Sequence, residues 1–561
     1  MQRSSWILLV LLLLPYTAFA QTGTCEPTLS QATLNVGNVR ANIYNDGALF
    51  RSFNPNPPYS RIRYHVPKGD SINIFVNASF WVGGKIDNEI RTAATRYGPQ
   101  EFWAGPLDEN GNPPASCAQY DKLWEISKAD IESFLHAGEV SENLKNWPWH
   151  LGAPVVDGDG NTNNYNLAKG DLPELLGDQR IWWIMNDRGN THRASKSNPL
   201  GIEIHASAFA FIDHRLENFT FYSYKLINKN SSSIEDAYVS LFTEGDLGNY
   251  SDDFLGSDSL LHLGYHYNGD NDDQGDYGYG KAPPAFGVTF LHTQVADADN
   301  LDNDRDMVVD EPGEMLGTSG TLHYYFDTGP YGDPVSARHY YNYMRSRWGD
   351  GSPVLEGLTG FPGSHWPASL PQKPTNFFYT GDPTIGAFWS EVNSDAMDNA
   401  ALGPGDRRFI ISSGPFNLSS GDTTTVNFAI IWSRGESNLD SVSLLKRHTT
   451  GVRAFADQIF TPVKIPEPAQ TFQQQVLGFD QNFPNPFTES TTLRYSLPQT
   501  MQVRLAVYDL LGREVAILVD AQQDAGIHTA EFDAGDLPAG IYLARIELDF
   551  LRFTKRMVLI R

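Results

Sequence analysis

The chain has 561 residues, with 67 Asp and Glu against 41 Lys and Arg, and a formal net charge of −26. This acidity argues against nucleic acid as a partner, because phosphate binding needs a basic surface. Aromatic residues make up 12% of the chain, which argues against low-complexity disorder, and the length predicts roughly three or four domains of about 150 residues.

The first 20 residues have the pattern of a secretory signal peptide. Arg3 precedes an apolar run over residues 6–14, and Ala18-Phe19-Ala20 has the small residues of a cleavage site. The run is too short to span about 30 Å of hydrocarbon, so we expect cleavage after Ala20 and not a membrane anchor. No later segment is long and apolar enough to span a bilayer. The mature chain is therefore predicted to have no transmembrane segment, and loss of Arg3 changes its net charge from −26 to −27.

Cysteine usage agrees with export. Cys25 and Cys117 are the only two cysteines, and an oxidising compartment would let them pair. A disulfide would tie the mature N-terminus to the first domain and stabilise it by about 4 kcal/mol in the chain-entropy description. Two buried thiols are the alternative, and we favour the disulfide.

Most of the chain is predicted to form strands. The segments 71–76, 202–211, 219–227 and 425–432 are rich in aromatic and β-branched residues, several with apolar residues at every second position. Helices are expected at 439–459 and at 127–135. The predicted fold class is mainly β, with antiparallel β-sandwich domains, few helices and a small C-terminal β-sandwich.

A linker rich in Pro and Gln over residues 461–475 separates the C-terminal module from the rest. The predicted domains, in chain order, are a signal peptide (1–20), an N-terminal β-rich domain (21–150), a central β-rich domain with acidic loops (151–460), the linker (461–475) and a C-terminal domain (476–561).

The first acidic loop of the predicted central domain (151–460) is Asp157-Gly-Asp159-Gly-Asn161, in which glycines separate oxygen donors. A second group of acidic residues follows the strand predicted at 237–242, and its carboxylates could converge on one ion. The members of this group are Asp246, Asp252, Asp253 and Asp258. The run 270–276 is a weaker candidate. A polar turn remains the alternative for each of these segments.

The strongest acidic segment is 302–311. Residues 244–314 contain 17 acids and two bases, and such charge must either extend into water or bind cations. Acids stand at relative positions 1, 3, 5 and 9 of the run, namely Asp302, Asp304, Asp306 and Asp310. Calcium takes about 6–8 oxygen ligands in irregular loops, whereas zinc prefers His and Cys.

The 302–311 run resembles an EF-hand-type or thrombospondin-like calcium loop. Two departures matter: Met307 stands where the turn usually has Gly, and position 12 is Gly313. Asp310, Glu311 or Glu314 would then provide the later ligands. Calcium is therefore the predicted cofactor, and a solvated acidic loop is the alternative.

No familiar catalytic motif occurs in the sequence: there is no Gly-x-Ser-x-Gly, His-Glu-x-x-His, Walker A loop or Gly-x-Gly-x-x-Gly after a strand. His262 and His266 are interpreted as ordinary histidines and not as a metal pair. Five tryptophans could stack on sugars or fill the core, and the core is favoured; they are Trp147, Trp149, Trp182, Trp183 and Trp366. We expect a non-enzymatic structural or adhesive protein stabilised by calcium, and a polysaccharide-binding or polysaccharide-degrading enzyme is the alternative.

The last 86 residues contain short predicted strands and a set of recognisable motifs. These are Asn482-Phe-Pro-Asn-Pro-Phe487, the turns at 509–512 and 537–540, and a basic end at 555–561. Gly512 and Gly540 are expected at positions that need positive φ. The module resembles the type A C-terminal sorting domain of type IX secretion substrates, and the residues that carry this resemblance are Asn485, Pro486, Phe487, Gly512, Gly540, Lys555 and Arg556.

The resemblance implies a route and partners. The protein would pass through the periplasm, be recognised by the type IX translocon, and be processed by its sortase-like machinery. It would end outside the cell or on the cell surface, released or attached to a surface glycolipid, where polysaccharide is a further possible partner. Segment 39–432 is also similar to uncharacterised secreted proteins that carry this domain, which implies no activity. A terminal sandwich domain without a targeting role is the alternative.

Overall fold

The computed structural model of the chain describes residues 25–27, 30–51, 63–98, 100–296, 301–303, 309–310, 313–325, 328–362, 371–397, 399–400, 402–460, 478–479, 481–497, 501–509, 513–524, 526–548 and 551–560. The predicted signal peptide with its cleavage site at Ala20, and the predicted linker 461–475, lie outside these residues. Residues 25–460 are called the main body below, and residues 478–560 the C-terminal module.

Strands dominate the main body. In chain order they are β1 (Gln31–Leu34), β2 (Arg40–Tyr44), β3 (Ala48–Leu49), β4 (Tyr64–His65), β5 (Phe75–Ile86), β6 (Glu89–Ala93), β7 (Trp103–Ala104), β8 (Trp124–Ser127), β9 (Val155–Val156), β10 (Leu172–Pro173), β11 (Gln179–Asn186), β12 (Ile202–Ala210), β13 (Phe219–Asn228), β14 (Ile234–Gly245), β15 (Asp253–Asp258), β16 (Leu263–Asn268), β17 (Asp272–Asp273), β18 (Gly280–Lys281), β19 (Ala285–His292), β20 (Gly320–Tyr324), β21 (Val354–Leu355), β22 (Pro374–Thr375), β23 (Arg407–Leu418) and β24 (Thr423–Ser433). The helices are α1 (Lys128–Ala137), α2 (Glu142–Lys145), α3 (Ala337–Met344), α4 (Asn438–Ala454) and α5 (Ala456–Phe460).

Two large antiparallel sheets form the main body. Sheet A has the order β1-β2-β3-β5-β14-β23-β20, and sheet B has the order β15-β16-β19-β24-β13-β12-β11-β7. Aromatic side chains from the two sheets fill the space between them: the rings of Phe80 and Tyr224 are 4.4 Å apart, and those of Phe75 and Phe286 are 4.7 Å apart. The predicted mainly β class with antiparallel sandwich packing is therefore confirmed.

Helices cover the outer faces of both sheets. The predicted helix at 439–459 is present as α4 and α5, and Ser437 caps α4 by accepting a hydrogen bond from the Asp440 backbone N–H. The predicted helix at 127–135 is present as α1, which begins with a capping box between Ser127 and Asp130. Helix α3 was not predicted; it packs Tyr340 against Trp81 of sheet A.

The predicted boundary at residue 150 is wrong. Strand β5 pairs with β14, with Trp81 opposite Ser240, and β8 pairs with β11, with Ile126 opposite Arg180. Segments 21–150 and 151–460 therefore share both sheets and one core. Pairing between strands so far apart in sequence leaves no mark on local composition or periodicity, so the sequence contained no signal for it.

The C-terminal module has its own strands and core. Its strands are β25 (Gly478–Phe479), β26 (Ser490–Leu497), β27 (Met501–Tyr508), β28 (Glu514–Gln523), β29 (Gly526–Asp533), β30 (Gly540–Leu548) and β31 (Leu551–Leu559). They form two sheets, β25-β26-β29 and β28-β27-β30-β31. A separate hydrophobic cluster fills the module and includes Leu493, Val503, Phe532 and Met557.

A disulfide joins the start of the described chain to the main body. Cys25 and Cys117 are bonded, with Cα atoms 5.2 Å apart, and close a loop across a sequence separation of 92 residues. The side chains of both cysteines are buried and pack with Trp103. Because the bridge restricts the unfolded chain, it stabilises the fold without requiring a large local core.

Two arginines neutralise buried carboxylates at one end of sheet A. Arg407 Nε lies 2.7 Å from Glu391 Oε1, and the other Glu391 oxygen accepts a hydrogen bond from Leu255 N at 2.6 Å. The neighbouring Arg408 lies 2.9 Å from Glu244, its partner across β14 and β23. Buried carboxylates need this kind of charge or hydrogen-bond compensation, because desolvation of an unpaired ion is costly.

His262 and His266 are both buried. His262 Nδ1 accepts a hydrogen bond from Thr318 N at 2.8 Å. The ring of His266 lies between the sheets, 4.8 Å from Phe286 and 5.3 Å from Phe409. Burial, with a smaller contribution from Arg407, lowers the pKa of His266 to about 3.

The His266 environment predicts acid sensitivity. Below about pH 6.5 this histidine is protonated in the unfolded state, whereas in the folded state it stays neutral down to about pH 3. Between these two values His266 alone should lower the free energy of unfolding by about 1.4 kcal/mol for each unit by which the pH decreases. His266→Phe should flatten that slope. Urea unfolding at pH 7 and pH 5, followed by tryptophan fluorescence, measures it; all 12 tryptophans precede residue 461, so the signal reports on the main body. An unchanged slope in the variant would contradict the assignment.

Candidate functional site

The clearest candidate site is the loop between β9 and β10, residues 157–171, called the Asp157 loop below. One carboxylate oxygen from each of Asp157, Asp159 and Asp171 lies within 4.8 Å of the others. Within the described part of the chain, this is the one set of three His, Cys, Asp or Glu side chains that meets this distance. Asp157 and Asp159 are exposed, whereas Asp171 is 1% exposed.

The hairpin brings Asp171 into place. Strand β9 pairs with β10, with Val156 opposite Leu172, so the next positions outward, Asp157 and Asp171, face each other. Sequence reasoning missed Asp171, because its 14-residue separation from Asp157 fits no calcium-loop spacing. The register of two-residue strands was the signal needed, and it is not readable from composition.

Backbone N–H groups orient these carboxylates. Asp157 Oδ1 accepts from the N–H groups of Asp159 at 3.0 Å and Gly160 at 2.8 Å. Asp171 accepts from Gly158 N at 3.0 Å and from Asn166 N at 2.6 Å. Gly158 is required here, because a Cβ atom would lie 2.3 Å from the backbone of Gly170.

Asn161 lies in the same loop and is held by local hydrogen bonds. Its Oδ1 accepts from Asn163 N at 3.2 Å, and its own N–H is bonded to Asp159 Oδ1 at 3.0 Å. Beside the loop lies a cavity of about 180 Å³, which Asn161 lines together with Trp149 and Asn164. Three carboxylates and neighbouring amide oxygens are the hard oxygen donors that suit calcium.

The second predicted group does not converge as expected. Asp253 and Asp258 occupy opposite ends of the six-residue strand β15, about 16 Å apart at about 3.3 Å per residue. Asp258 instead forms an ion pair with Lys446 Nζ at 3.3 Å. The prediction that Asp258 shares a site with Asp246, Asp252 and Asp253 is therefore wrong, because an extended strand cannot return both ends to one centre.

Asp273 takes the place of Asp258. Its carboxylate accepts a hydrogen bond from Asn249 N, in the loop that Asp246 begins, at 3.0 Å, and another from Tyr279 N at 2.7 Å. We call Asp246, Asp252, Asp253 and Asp273 the Asp253 cluster. Burial is the largest cause that raises the pKa of Asp246 to about 7 and that of Asp273 to about 6, and neighbouring carboxylates add to both shifts.

Much of the 302–311 run lies outside the described residues, including Asp304, Asp306 and Glu311. Asp302 and Asp310 are described, and Glu314 Oε1 accepts a hydrogen bond from Asn303 N, so Glu314 faces this run. Calcium binding here stays a prediction. In the 270–276 run, Asp272 forms an ion pair with Lys281 at 2.7 Å.

The tryptophans do not form one platform. Trp147, Trp182 and Trp183 are at most 2% exposed and fill the core, as favoured above. Trp366 lies outside the described residues. Trp149 is half-buried and lines the cavity beside the Asp157 loop.

Arg408 forms a polar group that sequence reasoning missed. Besides Glu244, it contacts Asp406 Oδ2 at 3.1 Å and donates from Nε to Tyr97 Oη at 3.2 Å. Cross-strand register creates this group from residues that are far apart in sequence. Protein acceptors therefore surround the guanidinium, and the group serves to hold the ends of β14 and β23 together.

In the C-terminal module, Asn485 and Phe487 hold the last strand. Asn485 Oδ1 accepts from Val558 N at 2.8 Å, and its Nδ2 donates to Arg556 O at 3.2 Å. Phe487 is 2% exposed, and its N–H donates to Val558 O at 3.0 Å. Pro486, between them, follows a cis peptide bond, and Lys555 and Arg556 pair with Ala544 and Leu543 of β30.

The prediction of positive φ at Gly540 is wrong. Gly540 begins β30 in extended register opposite Leu559, and the positive φ of this turn is at Gly535, with a value of 48°. The residue with positive φ therefore precedes Leu537-Pro538 instead of following it. Gly512 lies outside the described residues.

Comparison with known proteins identifies one part of the chain. No curated protein matches it. Among the solved structures that match, a polysaccharide lyase aligns at 7% identity over 64% of this chain and 34% of the lyase, with a TM-score of 0.17. A TM-score this low does not indicate a shared fold. The chain thus spans about a third of the length of that lyase.

Of the helices in the described residues, none is both long and apolar enough to cross a membrane. A family described as the secretion system C-terminal sorting domain matches residues 481–560, which contain the Asn485–Phe487 clasp and β26 to β31. The C-terminal module is therefore a secretion-system C-terminal sorting domain, and the chain is a substrate of the type IX secretion system.

Proposed function

We propose that the main body is a calcium-stabilised, non-enzymatic structural or adhesive protein, which the sorting domain exports to the cell surface or the extracellular space. The signal peptide takes the chain into the periplasm, and the type IX translocon and its sortase-like enzymes then move and process it. Attachment to a surface glycolipid or release is the last step.

The Asp157 loop is the observation that carries this proposal. Three carboxylates whose oxygens lie within 4.8 Å of each other repel one another, and a bound cation would offset that repulsion. The backbone N–H groups of Asp159, Gly160 and Gly158 already fix two of the three, so the donors are pre-oriented. Calcium satisfies this charge and accepts amide and water oxygens for the remaining positions.

The packing of the main body supports a structural role. Aromatic side chains fill the space between sheets A and B, and three tryptophans once considered for sugar stacking lie in this core or in the neighbouring cluster under α1. Arg407 and Arg408 are bonded to protein carboxylates. A rigid sandwich held at its loops by calcium suits a protein that presents surfaces outside the cell.

A polysaccharide-binding role is the second candidate, and Trp149 favours it. This half-buried ring and the carboxylates of Asp157 and Asp171 line the same cavity of about 180 Å³. A calcium ion there could bridge to sugar hydroxyls while the ring stacks on the sugar face. Glycan-array binding that requires calcium and disappears in Trp149→Ala would favour this candidate over the structural role alone.

Calcium removal should destabilise the main body. At free calcium about 100 times its Kd, a site in the folded state stabilises it by about 2.7 kcal/mol. Chelation should therefore lower the melting midpoint of the wild-type protein, and Asp159→Asn should remove part of that difference. The matched control is Asp422→Asn, an exposed acid in another turn, which should behave like the wild type. Equal midpoints with calcium and with chelator would refute the calcium requirement.

Export should depend on the sorting domain. Deletion of residues 476–561 should leave the main body in the periplasm, because the translocon then has no signal to recognise. Immunodetection in periplasmic and extracellular fractions measures this. Arg504→Ala, at a half-buried ion-pair residue of the same module, is the control that should still be exported. Normal appearance of the truncated chain outside the cell would contradict the assignment.

A further inference from the structure

Asp253 is the least compensated buried carboxylate described above. It begins β15 and is 0% exposed. Its Oδ2 accepts one hydrogen bond, from Leu247 N at 3.1 Å. Its Oδ1 has no hydrogen-bond partner among the residues that the structure describes.

Other buried carboxylates in this chain are neutralised differently. Glu391 has Arg407 at 2.7 Å, and Glu244 has Arg408 at 2.9 Å. Asp187 accepts backbone hydrogen bonds from Leu200, Gly201 and Ile202. Against these examples, one N–H is too little for Asp253, because an unpaired buried charge is strongly destabilising.

The ionised groups that act most on Asp253 are carboxylates. After burial, Asp252, Asp246 and Asp273 raise its pKa, and the Leu247 N–H opposes them. The arginines act on its neighbours: Arg63 and Arg408 lower the pKa of Asp246, and Arg434 lowers that of Asp273. Asp253 therefore faces like charge inside the protein.

The backbone between these acids is held closely. Leu247 N–H binds Asp253, and Asn249 N–H binds Asp273. Between them, Gly248 has φ of 79°, and a Cβ atom there would lie 2.0 Å from Asp273 Oδ2. Glycine is required at this point, and the N–H groups on either side of it, at Leu247 and Asn249, each bind one of the two carboxylates.

We propose that Asp253 is the central ligand of a second divalent-cation site, which the other members of the Asp253 cluster complete. The donors are oxygens, so the ion is a hard cation of the calcium class. Calcium also takes main-chain oxygens and water, so the carboxylates of this cluster need not gather as tightly as those of the Asp157 loop.

The site has a mechanical consequence. Asp246 follows β14 of sheet A, Asp253 begins β15 of sheet B, and Asp273 lies in the β17–β18 hairpin. One ion would therefore link the two sheets and the hairpin at the same end of the sandwich. The site rests on the proposed function for the identity of the ion, but it shares no residue with the Asp157 loop.

A protonated carboxyl is the competing explanation, and Asp253→Asn separates the two. Asparagine reproduces the shape of a neutral carboxyl, but it removes the charge that holds a cation. If Asp253 holds calcium, the full-length variant should bind one calcium ion fewer per chain and lose part of the stabilisation by calcium. If Asp253 is protonated, the variant should keep the calcium stoichiometry and the melting midpoint, and this result would overturn the proposal.

The measurement is equilibrium dialysis against calcium with metal analysis, together with melting curves with calcium and with chelator. Asp258→Asn is the matched control, because it removes an acid from the other end of the same strand and should bind as many ions as the wild type. Asp246→Asn, at a half-buried position, repeats the test if Asp253→Asn does not fold, and an unchanged stoichiometry in Asp246→Asn then overturns the proposal.

Asp159→Asn separates this proposal from the proposed function. Loss of one ion in Asp253→Asn but none in Asp159→Asn supports the Asp253 site and removes the Asp157 loop from the account. The reverse pattern overturns the Asp253 site and leaves the Asp157 loop. A wild-type protein that binds no calcium overturns both.

Discussion

A carboxylate that leaves water must meet a cation or several N–H donors, and this constraint governs the ends of the two sheets. Arg407 and Arg408 meet it for Glu391 and Glu244 within the core. The buried Asp171 of the Asp157 loop and the buried Asp253 have no such arginine at hydrogen-bond distance among the described residues. The buried acids thus include some that the protein neutralises itself and some for which we propose a bound ion.

Local sequence patterns predicted the strands and helices, but the candidate site depends on which distant strands pair and in what register. Period-2 alternation found the central strands, and capping residues found α1 and α4, because both signals lie within a few residues. The pairing of Val156 with Leu172 and of Trp81 with Ser240 depends on contacts between distant segments. That is why Asp171 and Asp273 were missed and the boundary at residue 150 was misplaced.

The error at Asp258 has a simple geometric cause. Its sequence distance from Asp253 fits a compact loop, but the residues between them form β15 and extend away from the cluster. Acid spacing is therefore informative in a loop such as 157–161, where glycines allow the chain to turn. The same spacing does not predict a shared site where the backbone is an extended strand, because the acids are then carried apart.

The two parts of the molecule fit one purpose. The sorting domain has its own hydrophobic cluster, and the Asn485–Phe487 clasp holds its final strand. Extracellular modules bind calcium with Kd of about 10⁻⁴–10⁻³ M, so moderate sites are sufficient once the main body is outside. The most direct test of this account is a crystal structure grown with calcium, with anomalous scattering recorded to locate the ions. The account predicts anomalous peaks among Asp157, Asp159 and Asp171 and beside Asp253, whereas well-ordered loops without peaks at saturating calcium would contradict it.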